Sequence, residues 1–415
     1  MIKYLKSIWD KIKSYPIWKK ILLVFLTIIY IGVLCICLIT IKVDSTTPGT
    51  VTRVNNVVHI NSDNTQGSIY TVSVFTENKV SLLEYFLRKN NDFIDINIGE
   101  STTYQIYTEN EDYLSNVGYK SQSIQDSIIL AYNTAKSKGI DVTLDYRYKG
   151  EYLIHIPSNL YKTSSTDFKN GDIVTKFDGK VVSSELDLLN YLKEDLNNVL
   201  YEGKSITSLY DEKRFDLYDE NNKKIEENIT LTMDVIESIY KDNSDKKFTV
   251  LRNGTEVEVT PSRRMEFYLL THKILKKEDT NKLLYTIKDC SFSYFDIDYE
   301  KANPSIDISK TSSVGPSGGL MQTLAVYNAI TSTDITKGLR IMGTGGITRD
   351  GTVTTIGGEQ QKVVTANLYL ANVFFVPSDN YESAKTMYDK LKEPKMQIIG
   401  VKTFQDALDY LERME

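Results

Sequence analysis

The chain has 415 residues, 41% of them hydrophobic, and a formal net charge of −6. That apolar content is enough to build buried cores, while the acidic balance, with no basic stripe and no zinc-ligand spacing, excludes a nucleic-acid-binding protein. Of its three cysteines only Cys290 lies outside the apolar N-terminal run, so no intrachain disulfide is expected there.

In chain order, the first feature is basic: Lys3, Lys6, Lys11, Lys13, Lys19 and Lys20 stand against the single acid Asp10 within residues 1–20. Ile21 to Thr40 follows without one charge, long enough to span about 30 Å of hydrocarbon, so residues 21–41 are expected to form a transmembrane helix. The positive-inside rule then places the N-terminus in the cytoplasm and the rest outside, with Trp9, Tyr15 and Trp18 at the inner interface. A cleaved signal peptide is the competing reading, but the run exceeds about 15 residues and no A-x-A site follows. Leu34 and Ile36 precede Cys35 and Cys37, where lipid attachment wants a small residue.

The roughly 370 residues beyond this run make room for two or three domains. Ser45–Gly49 reads as a polar linker opening an N-terminal region over 45–145. In it, Val54–Ile60 and Ser68–Phe75 read as strands, and Ser81–Arg88 and Ser123–Ser137 as helices, the last ended by Gly139. Residues 146–262 read as a β-rich domain of PDZ type. It has strands at Glu151–Ile156 and Ile173–Phe177, and a helix from Ser184 to Lys193 with Leu186, Leu188, Leu189 and Leu192 inward. A hairpin turns at Asn253-Gly254, a pair suited to a type I′ turn. An acidic, lysine-containing insertion over about 197–245, including the amphipathic stretch LTMDVIESIYK, reads as solvated surface. Residues 264–415 alternate strands and helices as an α/β unit: a hairpin around Asp350-Gly351, a helix from Glu359 to Leu370, a strand at Val373–Val376, a helix over Tyr381–Lys392, a strand at Met396–Val401 and a last helix capped by Thr403.

The chemistry concentrates in this last part. Ser317 sits in the run Val314-Gly315-Pro316-Ser317-Gly318-Gly319, directly before the apolar helical stretch that starts at Leu320. Gly318 and Gly319 let a substrate approach the backbone, and the first N–H groups of the helix are candidates to stabilise an oxyanion. Lys362 follows the pair Gly357-Gly358 and opens a second helical run. A serine hydroxyl needs a base, and lysine serves only when neutral, which demands burial to bring its pKa from about 10.4 toward 7–8. Ser317 as an ordinary helix N-cap is the plainer alternative. A phosphate-cradling loop lacks the G-x-x-x-x-G-K-[ST] run. The only histidines, His59, His155 and His272, lie far from Ser317 in sequence.

Together, G-P-S-G-G at Ser317, the run Thr336–Gly345, the Asp350-Gly351 turn and G-G-x-x-x-K ending at Lys362 resemble the proteolytic domain of Lon proteases. The likeness is closest to the membrane-anchored, PDZ-containing Lon-like serine peptidases of Gram-positive bacteria. It implies a multidomain α+β chain: transmembrane helix, PDZ-like domain with insertion, and Lon-type proteolytic domain. It further implies a Ser-Lys dyad with Ser317 as nucleophile and Lys362 as general base, and Thr344 orienting the lysine. The expected activity is ATP-independent cleavage of peptides or flexible protein segments outside the membrane. No cofactor or metal is expected; substrates and the bilayer are the partners, with room for a homo-oligomer. The reading from another class is a catalytically silent, membrane-tethered PDZ scaffold. Four positions depart from the family pattern: Gly318, and Thr354, Thr355 and Glu359, where the family usually reads G-P-I-G-G-I before the lysine. Gly318 replaces an alanine, and Glu359 stands one turn before Lys362, either favouring its ammonium form or pointing to solvent.

Overall fold

The protein is described by a computed structural model over residues 14–61, 68–98, 109–154, 168–196, 200–201, 204–205, 215–218, 224–229, 246–261, 291–309, 314–331 and 333–414. It is a mixed helix and sheet structure that divides into two compact units, residues 1–49 with 74–100, and residues 50–73 with 101–415.

The first unit opens with the helix Ile17–Leu38 (α1), none of whose residues is buried. Twenty-two residues rise about 33 Å, so it is long and apolar enough to serve as a membrane span or a signal sequence. Thr40–Arg53 (β1) and Ser68–Ser81 (β3) each give residues to both units. The expected linker Ser45–Gly49 is thus part of a strand. Its threonines and the β-branched residues that follow suit a pleated surface, and Asp95–Ile98 (β4) pairs with it in the register Val43↔Ile98. Leu82–Arg88 (α2) starts from a capping box in which Ser81 Oγ accepts from Glu84 N–H and Glu84 takes the Ser81 N–H.

In the second unit, Val58–Ile60 (β2) follows a single 3₁₀ turn at Val54–Asn56, so the strand expected over Val54–Ile60 is shorter. The helix Glu109–Ser137 (α3) begins 14 residues before the expected start at Ser123. Tyr146–Leu153 (β5), Ile173–Phe177 (β6), Lys180–Val181 (β7) and the helix Glu185–Leu196 (α4) come next. Leu188 and Leu192 of α4 are fully buried, whereas Leu186 is 58% exposed. Positions 186 and 188 lie about 200° apart on a helix, so both cannot face inward. Within the expected insertion only Leu200–Tyr201 (β8), Lys204–Ser205 (β9), Phe215–Tyr218 (β10) and Lys224–Ile229 (β11) are described; LTMDVIESIYK lies outside the described residues, as do His155, His272 and Cys290.

Phe248–Arg252 (β12) and Thr255–Val259 (β13) form the expected hairpin, with Asn253 and Gly254 at φ 51° and 82°. With Ser291–Ile297 (β14) they complete a sheet in the order β13-β12-β6-β5-β14. Beside it, half-buried Arg252 forms a bidentate ion pair with buried Asp172, its Nε and Nη2 each 2.7 Å from a carboxylate oxygen, and Asp172 is 0% exposed. Asp172→Ala is expected to cost about 2 kcal/mol, because it removes a charge-assisted bidentate hydrogen-bonded pair and the acceptor of Lys169 N–H. The check is hydrogen exchange: amides of β6 and β12 should lose protection, while those of helix Gly319–Ile330 keep theirs.

The remaining elements are Ile306–Ile308 (β15), the helix Gly319–Ile330 (α5), Arg340–Gly343 (β16), Gly346–Ile347 (β17), Val353–Thr354 (β18), the helix Glu359–Leu368 (α6), Val373–Pro377 (β19), the helix Tyr381–Tyr388 (α7), Gln397–Val401 (β20) and the helix Phe404–Arg413 (α8). Strands β20, β19, β16 and residues 68–71 of β3 run parallel, in the registers Ile341↔Val373 and Arg340↔Ser68. Side chains alternate across this sheet. Ile341, Val373 and Phe375 join the core built with α3, α5 and α8. Met342, Phe374 and Val376 join the one built with α6 and α7. Asp350-Gly351 does turn a hairpin, between the short β17 and β18, while Arg340–Gly343 belongs to the parallel sheet.

Candidate active site

The segment Thr344-Gly345 leaves the C-terminal end of β16, the place where parallel α/β sheets put their sites. It meets the turn that precedes α5. Gly345 N–H donates to Ser317 O at 2.8 Å, Thr344 Oγ1 donates to the same carbonyl at 3.1 Å, and Leu320 N–H donates to Gly345 O at 3.1 Å. The Ser317 carbonyl is therefore held twice, and Ser317 itself is half-buried at the head of a helix whose every residue is buried.

Helix α3 holds the other side of this turn, a contact that sequence reading missed. Ser123 Oγ donates to Pro316 O at 3.0 Å, Ser127 Oγ lies 3.0 Å from Gly319 O, and Gly315 N–H donates to Asn116 O at 3.0 Å. These are partners some 190 residues apart in sequence. Gly319 permits the approach, since a Cβ there would fall 2.7 Å from both Ser123 Oγ and Ile347 Cγ2. A Cβ on Gly318 would lie 2.9 Å from Thr71 Cγ2, which is a physical reason for glycine where the resembling family has alanine. Asp126 of the same helix, almost fully buried, pairs with Arg349 Nε at 3.0 Å beside the β17–β18 turn.

Lys362 reaches the site from α6. That helix starts after Gly358, which adopts the left-handed conformation at φ 69°, and Asn380 pins the preceding Ile356 through both its N–H and its carbonyl at 3.0 Å. Lys362 is 3% exposed, and its Nζ donates to Thr344 Oγ1 at 3.2 Å, with Thr344 0% exposed. Lys362 and Ser317 are thus joined through one hydroxyl, which accepts from the amine and donates to the serine carbonyl. Among the described residues no hydrogen bond links Ser317 Oγ directly to Lys362 Nζ.

Burial pulls the Lys362 pKa down to about 8, with the Glu359 carboxylate acting in the opposite sense. Of the two readings of Glu359, a charge that favours the ammonium fits: its side chain is half-buried, and Oε1 accepts from Ser383 Oγ at 2.6 Å rather than standing alone in solvent. At a pKa of about 8, about one lysine in ten is neutral at pH 7, against well under one in a thousand at the ordinary value.

The first helix amides are not available to an oxyanion as expected. Gly319 N–H donates to Pro316 O at 3.1 Å and Leu320 N–H is taken by Gly345. The amides of Ser317 and Gly318 make no intramolecular hydrogen bond among the described residues, so these two N–H groups remain for an incoming ligand. His59 stands elsewhere, paired with Ser309 Oγ at 2.9 Å on the β2–β15 ladder.

Residues 297–412 match the family model of the Lon protease (S16) C-terminal proteolytic domain. A stretch of 93 residues, 22% of this chain, is 32% identical to the Lon protease of Aster yellows witches'-broom phytoplasma (strain AYWB) and covers 11% of that protein. The chain thus spans about a tenth of the length of the curated relative it matches. Ser317, Thr344 and Lys362 all fall inside the matched domain, whereas α3 and β3 lie before it. A proteolytic domain of this type implies protein or peptide substrates.

Proposed function

We propose that this chain is an ATP-independent, membrane-anchored serine endopeptidase that cleaves extracytoplasmic peptides or flexible protein segments with a Ser317–Lys362 dyad. The observation that carries the reading is the sealed position of Lys362, whose amine rests on the hydroxyl that also holds the Ser317 backbone. Neutral Lys362 takes the Ser317 Oγ proton as Oγ attacks the scissile carbonyl carbon. Ser317 and Gly318 N–H groups receive the developing oxyanion. The ammonium then returns the proton to the leaving amine, giving an acyl-enzyme and the first product. Water attacks that ester with Lys362 again as base, and the carboxylate product leaves. Thr344 orients the amine by accepting one of its N–H bonds, which leaves the nitrogen lone pair for Ser317. Gly318 and Gly319 keep the turn open to substrate and close to α3.

Around this centre, α1 is read as an uncleaved span with the N-terminal residues in the cytoplasm; the helix runs Ile17–Leu38 rather than over the expected residues 21–41, because Thr40 and Ile41 already belong to β1. Residues 45–145 form the N-terminal outer region, 146–262 a PDZ-like domain that takes extended peptides by strand addition, and 264–415 the proteolytic domain, in the manner of Gram-positive Lon-like peptidases. Like-subunit assembly is part of the same reading.

The test uses full-length protein in vesicles, an unstructured peptide and an ATP-free buffer, with a serine-directed phosphonate as second probe. Peptide fragments and one adduct, on Ser317, are expected. A silent scaffold predicts neither, and an adduct on another serine would move the nucleophile.

A further inference from the structure

Within the first unit, α2 begins at the foot of α1: Leu82 N–H donates to the Ile39 carbonyl at 2.8 Å, one residue beyond the end of α1, and the two helices pack together. One face of α2 is fastened to its own unit. Arg88 bonds Glu77, Glu84 and Ser45, and Glu84 belongs to the capping box with Ser81. The adjacent face is apolar and open. Leu83 is 37% exposed, Phe86 52% and Leu87 70%. Lys89 lies over the Phe86 ring at 4.8 Å and the Tyr85 ring at 5.7 Å, placing an ammonium at the rim of that face.

We propose that this face of α2 lies in the outer interface of the same bilayer that α1 spans, with Leu83, Phe86 and Leu87 at the headgroup–acyl boundary and Lys89 among anionic headgroups. The inference rests on the reading of α1 as a span. If α1 fills the hydrocarbon, its end at Leu38 marks the boundary, and α2 starts within one hydrogen bond of it. Seven helical residues rise only about 10 Å, so the whole of α2 stays close to that boundary. Interfacial helices settle about 5–10 Å into this layer, with aliphatic and aromatic groups below and basic groups at the rim. The arrangement would make the attachment two-legged, a span plus a surface helix.

The test uses full-length chain in vesicles containing anionic lipid, with Cys35, Cys37 and Cys290 replaced by alanine. A thiol-reactive environment-sensitive dye is placed at Leu87→Cys in one protein and at Ile28→Cys in another, and retained peptide cleavage reports that the labelled proteins are folded. At position 87 the expected result is quenching by shallow nitroxide lipids, and iodide quenching several-fold weaker than for the free dye–thiol adduct in buffer. At position 28, deep nitroxides should quench. If Ile28→Cys reports lipid but Leu87→Cys is quenched by iodide like the free adduct, α2 is not at the membrane and only this inference falls. Protection from iodide without nitroxide quenching would assign the face to a protein neighbour and overturn it as well. If Ile28→Cys itself reports water, the span reading fails and takes the inference with it.

Discussion

Ser317→Ala is expected to lower peptide turnover by roughly 10⁴-fold or more, the size of effect seen when a serine nucleophile that acts in concert with its base is removed. The fold should not notice. The hydrogen bonds that hold the turn use the Ser317 carbonyl, which accepts from Gly345 N–H and Thr344 Oγ1, and these survive in alanine. Stability should change by no more than about 0.5 kcal/mol, as for a half-exposed side chain outside a core. The check pairs kcat/KM on a fluorogenic peptide with a thermal melt. Retained turnover in a folded variant would remove Ser317 from the mechanism.

Lys362→Arg should be nearly as damaging, because guanidinium stays charged at every accessible pH and accepts no proton. An arginine in a site sealed for lysine also strains the fold, so Lys362→Met, close in shape and neutral, separates loss of the base from loss of structure. Both variants are expected to be inactive. Lys362→Met should also be the more stable protein at pH 7. The folded-state pKa of Lys362, about 8, lies below its ordinary 10.5, so the ammonium opposes folding. That opposition is full below about pH 8 and is relieved as pH rises from about 8 toward 10.5. Methionine removes it throughout. Glu359→Gln keeps a partner for Ser383 but discards the charge that favours the ammonium, so the rising limb of kcat/KM should move to lower pH. An upward movement would mean that the carboxylate acts on the lysine with the opposite sign.

What could be read from the sequence follows the range over which residues act. The Asn253-Gly254 turn, the Thr403 cap and the helical run behind Lys362 are set by a few neighbouring residues, and each stands where local chemistry places it. Ser317 and Lys362 are legible because glycine-rich turns mark sharp changes of direction before apolar helical runs, whereas Thr344 comes only from the family resemblance. The meeting of Ser317 and Lys362 through one hydroxyl is not legible, since it depends on β16, α5 and α6 packing together. The support from Ser123 and Ser127 left no sequence signal beyond two serines on one helix face, because their partners are backbone carbonyls far along the chain. The early start of α3 is hidden because residues 109–122 are mostly polar and carry Gly118, which weakens a helix reading there. The Ser45–Gly49 strand was hidden by its small polar residues, although β4 pairs with its first two, Ser45 and Thr46.

The dyad itself is tested most directly by the pH dependence of the rate at which a phosphonate probe modifies Ser317, which reads the first chemical step without peptide binding or release. The rate should rise about tenfold per pH unit below about pH 8, level off above it, and vanish across the range in Lys362→Met. A rate indifferent to pH, a midpoint near the ordinary histidine value of about 6.5, or unchanged modification in Lys362→Met would contradict lysine as the base.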